Sequence, residues 1–306
     1  MSEQSGMKRK INKLFILFLI FVITSCRSIR TVAYDIEEER VSNEIRIVQI
    51  SDFHSNDFGK DEIKIIEKIK KARPDIIAIT GDLFDERMKG DKPFKNVEAL
   101  LSGICDLCPG FFVTGNHDFS DLHIEKKYAM LERYGFKVLY DEAVSLDFAQ
   151  GTVVISGVED PYFGLGERAA LKVGDDRVSY RKRLAAVAQK TDALVRSFAD
   201  DGRTVLFTML LVHRPEYVND YVKYDFDVIL AGHAHGGLWR FPPFINALYA
   251  PGQGMFPKYA GGKYVLKNNA RSVMIVSRGL SYQQPKIVRI FNNPELTLIR
   301  VIPIKK

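Results

Sequence analysis

An α/β fold is predicted by three features of the 306-residue sequence. From Glu44 onward, short apolar runs alternate with amphipathic stretches of helical period. Some runs, such as Asp75-Ile76-Ile77-Ala78-Ile79-Thr80, are apolar on both faces, as expected of a strand covered on both sides. Ligand-type side chains follow directly after several runs, at the carboxyl ends where α/β sheets bind their ligands. Apolar residues make up 46% of the chain and both charge signs are interspersed, a globular composition.

The elements follow in order. Lys8, Arg9, Lys10 and Lys13 precede an unbroken apolar run from Leu14 to Ile23. Crossing a bilayer takes roughly 20 apolar residues, so this run has the length of a signal-peptide core. Ile23-Thr24-Ser25-Cys26 resembles the bacterial lipobox, whose Cys is acylated. A lipoprotein anchored through Cys26 is expected, with an uncleaved anchor or an ordinary cleaved signal as alternatives. In every case the catalytic part is exported or membrane-apposed, and the anchored readings put it at the exported side of a bacterial inner or outer membrane. Residues 26–43, polar and ending near Glu37-Glu38-Glu39-Arg40, read as a tether. The domain then spans 44–306.

Within it, Ile45–Ile50 is a strand by its β-branched content. Asp61–Ala72 is a helix with Ile63, Ile66 and Ile69 on one face, closed by Pro74. Residues 75–80 and 111–114 are strands, and about 94–104 and 122–134 are helices. Residues 137–140, 144–147 and 152–156 read as short antiparallel strands. A helix over 180–198 follows, then apolar strands at 204–212 and 226–231. The loop 236–262 is rich in Gly and Pro and carries Trp239, Phe241, Phe244, Tyr249, Phe256 and Tyr259. Strands near 263–266, 272–277, 286–291 and 296–302 close the chain.

Half of the net charge of +6 comes from residues 1–25, where four basic residues face Glu3 alone. The rest is too weakly basic for a nucleic-acid footprint, so no nucleic acid is expected. Arg168, Lys172, Arg177, Arg181, Lys182 and Arg183 read as a solvated helix face. Cys105 and Cys108 have no further metal ligand within sequence reach and read as a local disulfide or two packed thiols.

The chemistry sits in five blocks: Asp52-Phe53-His54, Gly81-Asp82-Leu83-Phe84-Asp85, Gly115-Asn116-His117-Asp118, a lone His213, and Gly232-His233-Ala234-His235. Of the six histidines only His123 falls outside them, and it reads as a surface residue. Imidazole, carboxylate and amide without thiolate suit divalent Zn, Fe or Mn. A pair of such ions lowers the pKa of a bridging water and clamps both oxygens of an in-line displacement at phosphorus.

Taken in this order, over about residues 44–303, the five blocks resemble the calcineurin-like metallophosphoesterase superfamily. The resemblance implies a central β-sandwich of mixed sheets flanked by helices, in four layers. It implies two divalent metal ions, of Mn, Fe, Zn or Mg. Asp52, His54 and His235 would hold the first, Asn116, His213 and His233 the second, and Asp82 would bridge them. His117 would face the phosphate, with Asp118 orienting its ring. The implied reaction is in-line attack of a metal-bridging hydroxide on a phosphate ester.

Three tail motifs add resemblance to a bacterial, membrane-directed, phosphodiesterase-like subgroup: Gly232–Gly237, Ser277-Arg278-Gly279-Leu280 and Pro294-Glu295. Ala234 and Leu238 depart from it, standing where Thr and Gln are common. Neither is a ligand, so the departure bears on substrate preference. The expected function is a membrane-tethered phosphodiesterase acting on a lipid headgroup or another envelope phosphate ester. A phosphomonoesterase, a nuclease and a non-catalytic membrane scaffold are the alternatives.

Overall fold

The computed structural model describes residues 28–85, 92–119, 123–162, 176–267, 272–282 and 289–304. Cys26, the apolar run before it, Arg168, Lys172 and the first half of the strand expected at 286–291 lie outside these residues. Among the described residues, no helix is long and apolar enough to cross a membrane.

The chain runs β1 (Arg30–Glu37), β2 (Ile45–Ile50), α1 (Ile63–Ala72), β3 (Ile76–Thr80), α2 (Lys92–Ile104), β4 (Gly110–Val113), α3 (Ile124–Arg133) and β5 (Phe136–Val138). It continues through β6 (Glu142–Phe148), β7 (Gly151–Gly157), α4 (Arg177–Asp200), β8 (Val205–Leu211), α5 (Val218–Tyr221) and β9 (Val228–Ala231). The short pair β10 (Tyr249–Ala250) and β11 (Gly254–Met255) precedes β12 (Gly262–Val265), β13 (Val273–Val276) and β14 (Glu295–Ile302).

Two six-stranded sheets form, in the orders β1-β14-β2-β3-β4-β5 and β12-β13-β9-β8-β7-β6. Both are mixed. In the first, β2, β3, β4 and β5 are parallel and β14 runs antiparallel to β2. In the second, β7, β8, β9 and β13 are parallel and the two edges antiparallel.

Strand periodicity sorts the apolar side chains into layers. On β2 and β3, Ile45, Ile47, Ile76 and Ala78 point between the sheets, where they pack with Phe207, Met209, Leu211, Val228, Leu230 and Ile275. Their neighbours Val48, Ile50, Ile77 and Ile79 point outward onto Ile65, Ile66 and Ile69 of α1 and Val97, Leu100, Leu101 and Ile104 of α2. Leu184 and Val187 of α4 cover the far face of the second sheet with Leu210, Ile229 and Met274. The result is the four-layer sandwich that the resemblance implies.

Two expectations need correction, and one left open is decided. Residues 30–37 are not tether: they form β1, which pairs in parallel along its whole length with β14, from Arg30↔Glu295 to Glu37↔Ile302. The strand at 136–138 is not antiparallel but extends the first sheet in parallel beside β4. Of the two readings of Cys105 and Cys108, the packed thiols hold: both are free and pack against the helix-side core. Burial pushes the Cys108 thiol up to about 12, with Asp75 adding to the shift, so it is inert rather than redox-poised.

Candidate metal centre

The site lies where the carboxyl ends of both sheets meet. Polar bonds join the sheets there: Gln49 Nε2 donates to Thr80 Oγ1 and to Ala231 O, each at 2.9 Å. Asp52, His54, Asp82, His213, His233 and His235 are all buried on this rim. They fall into two groups whose ligand atoms lie within 4.8 Å of one another: Asp52, His54 and His235, and Asp82, His213 and His233. Asp82 also faces the first group, with His54 Nε2 3.5 Å from its Oδ2, while His213 Nε2 is 3.2 Å from the same oxygen. A bridging carboxylate needs this placement.

The local backbone is bent to deliver these side chains. Asp52, His54, Asp82, His233 and His235 all have φ between 48° and 66°, the left-handed region that costs a non-glycine residue about 1 kcal/mol or more. Glycines supply the clearance. A Cβ on Gly115 would come 2.2 Å from Asp82 Oδ1, and one on Gly232 would come 1.8 Å from Ser51 Oγ.

The donor set fits a divalent pair. Asp82 Oδ2, His213 Nε2 and Asn116 Oδ1 are buried without a hydrogen-bond partner, which is unfavourable unless a cation completes them. His213 Nδ1 lies 2.8 Å from Thr80 O. A carbonyl only accepts, so Nδ1 carries a proton and Nε2 is the ring atom left to face Asp82 and to bind a metal ion. Burial works to lower the His213 pKa, but Asp82 and then Asp52 raise it to about 10. The position favours positive charge. Burial and Arg214 hold His233 well below the ordinary range, and burial and Arg289 do the same for His235. Both stay neutral, as ligands must. Burial raises Asp52 to about 6, against the pull of His213.

His117 stacks edge-on against His54, with ring centroids 5.0 Å apart, and its backbone N–H donates to Asp82 Oδ1 at 2.8 Å. Asp118 has a structural task beside the one the resemblance implies. Its carboxylate accepts four backbone amides, from Asp82, Leu83, Phe84 and Gly115, at 2.7 to 3.1 Å. It ties the Gly115 turn to the Gly81 turn.

Several residues at the site were not singled out for it from the sequence. Ser51 Oγ donates to Asp52 Oδ2 at 2.6 Å. Asp85, which already stands in the Gly81–Asp85 motif, has its Oδ2 3.7 Å from His54 Nδ1. The buried carboxylate of Glu216 lies 3.6 Å from His233 Nε2, and burial raises it to about 7. Arg214 Nε pairs with Asp160 at 2.8 Å. Ser51 is next to Asp52 in sequence; only a folded chain brings the other pairs together. His123 is exposed, as expected.

The calcineurin-like phosphoesterase family model matches residues 45–237, from β2 to the end of the last histidine motif. An uncharacterized metallophosphoesterase of Aquifex aeolicus (strain VF5) is 27% identical over 89% of this chain and 92% of its own. Uncharacterized metallophosphoesterase YkuE of Bacillus subtilis (strain 168) is 25% identical over 83% of this chain and 77% of its own. Among solved structures, the Haemophilus influenzae NAD nucleotidase NadN aligns with a TM-score of 0.47 and 15% identity, over 77% of this chain and 45% of its own. The chain belongs to the calcineurin-like phosphoesterase family and is a metal-dependent hydrolase of phosphoric esters.

Proposed function

We propose that the protein is a membrane-tethered phosphodiesterase with two divalent metal ions, acting on an envelope phosphate ester at the exported side of a bacterial membrane. The observation that carries the chemistry is the pair of His/Asp groups on one rim, joined by Asp82. Asp52, His54 and His235 would hold one ion, Asn116, His213 and His233 the other, and Asp82 both. When bound, such ions act as Lewis acids toward the phosphoryl group and lower the pKa of water. Thr80 O and Ser51 hold the His213 and Asp52 donors in place. His117, next to both Asp82 and His54, stabilises the developing charge or protonates the leaving oxygen. The preference for diesters rests on the tail motifs Ser277–Leu280 and Pro294-Glu295.

Two observations support the tether. β1 begins on the catalytic rim, because Arg30 pairs with Glu295 beside the carboxyl end of β2. Cys26 lies two residues before Ser28, about 7 Å of extended chain, so a lipid there would hold the rim close to the bilayer. The loop after His235 also presents Phe244, Met255 and Phe256 to solvent, at 90%, 58% and 66% exposure.

The test is hydrolysis of bis-p-nitrophenyl phosphate and p-nitrophenyl phosphate with Mn²⁺, by protein beginning at Ser28. Diester cleavage that vanishes in Asp82→Ala and falls about 10²- to 10⁴-fold in His117→Ala is expected. Cleavage of the monoester alone would overturn the diesterase reading.

A further inference from the structure

Three of the four histidines in the metal groups are turned the same way. His54 and His213 direct Nε2 at Asp82, and His235 directs its Nε2 at Asp52, over 3.2 to 3.6 Å. Their Nδ1 atoms face outward, to Asp85 Oδ2, Thr80 O and Arg289 Nη2. His233 is turned the other way. Its Nε2 faces Glu216 Oε1 at 3.6 Å, a charge contact rather than a hydrogen bond at this length. Nδ1 is then the ring atom left for a metal ion.

Glu216 belongs to neither metal group, so it stands beside the ring and not among the ligands. It lies in the turn Pro215–Tyr217, just past His213. Its side chain is 7% exposed, and both carboxylate oxygens are buried without a hydrogen-bond partner. The loop after His235 closes over it. A Cβ on Gly252, whose φ is 69°, would come 2.1 Å from Glu216 Oε1. Two nitrogens lie within ion-pair distance of that oxygen, His233 Nε2 at 3.6 Å and Arg214 Nη1 at 3.9 Å. The Arg214 guanidinium is held by Asp160, at 2.8 Å through Nε and 3.2 Å through Nη2.

A buried carboxylate without hydrogen bonds is costly, and its position beside a ligand ring gives it a use. An ionised carboxylate only accepts, so the imidazole nitrogen next to it carries the ring proton and the other keeps its lone pair. An outer carboxylate of this kind fixes the tautomer and orientation of a metal-bound histidine and raises its basicity. Thr80 O does the same for His213 from the opposite ring nitrogen.

We propose that Glu216 is a positioning residue for the second ion: it keeps the proton on His233 Nε2 and thereby presents Nδ1. This rests on the assignment of His233 to the metal pair and deepens it. Glu216 is no ligand itself and acts only through the His233 ring.

The experiment is calorimetric titration of the metal-stripped full chain with Mn²⁺. The wild type should bind two ions. Glu216→Met, which keeps the volume and removes the acceptor, should weaken one of them about 10- to 100-fold and leave the other. Glu216→Ala should do the same, so the test stands if either variant fails to fold. Glu216→Gln, which retains an acceptor oxygen, should recover part of the loss. His233→Ala should weaken the same ion, and in that background the Glu216 substitutions should cost nothing more. Unchanged affinities for both ions in the Met and Ala variants overturn the proposal. An undiminished further loss in the His233→Ala background overturns it too, because a residue that only packs would add its effect to any background. If His233→Ala weakens neither ion, the assignment of His233 falls and the role of Glu216 with it. Loss in His233→Ala alone removes only the role of Glu216.

Discussion

Asp118 shows how a residue can sit in a catalytic motif and do structural work. Its two oxygens satisfy four amides of two turns that carry Asp82, Asn116 and His117. Asp118→Ala would leave those donors buried, so we expect a loss of about 3 kcal/mol or more in urea denaturation. If Asp118 acted on the His117 ring instead, stability would hold and the pH profile of kcat would shift. Gly115→Ala tests the clearance around Asp82. A Cβ 2.2 Å from Asp82 Oδ1 must displace that carboxylate, and a shift of about 1 Å at a reacting site lowers kcat on the order of 10²-fold. Metal content measured beside turnover would show the same displacement as weaker binding.

At the scale of elements, β1 carries the sharpest prediction. Ile29 and Ile36 are buried by it and against it, at about 1.5–3 kcal/mol each. Protein beginning at residue 40 should therefore melt about 10 °C below protein beginning at Ser28, and expose the edge of β14 to aggregation. An equal melting temperature would mean that β1 contributes nothing to the fold. The sequence hid this strand for a physical reason. Arg30-Thr31-Val32-Ala33-Tyr34-Asp35-Ile36-Glu37 lies on a sheet edge, so most of its side chains face water and its composition resembles a linker. Central strands such as β3, buried at every position, have no such freedom and were legible as apolar runs. The site divides the same way. The residues in the five motifs could be read because they follow directly on strands. Glu216, Asp160 and Arg289 could not, because their neighbours are set by packing across the sandwich. The left-handed backbone at Asp52 and Asp82 leaves no mark in composition either.

For the whole molecule, stability should depend on pH through a carboxyl away from the metal groups. Burial raises Glu159 to about 7, and Tyr128 donates a hydrogen bond to it. Its folded pKa lies above the ordinary glutamate range, so between about pH 4.5 and 7 the folded state holds a proton that the unfolded chain has lost. This contribution is complete below about pH 4.5 and disappears as pH rises through 7, a fall of about 3 kcal/mol. Denaturation midpoints at pH 5 and pH 8 measure it, and Glu159→Gln should flatten the difference. The order of the first sheet bears on how the protein assembles. β14 sits between β1 and β2, and Arg30 must wait for Glu295 before it has a partner. The sheet therefore cannot close before β14 has been made. Its most distant pairing forms last and slowly, and until then the edge of β2 stays open to any other strand it meets.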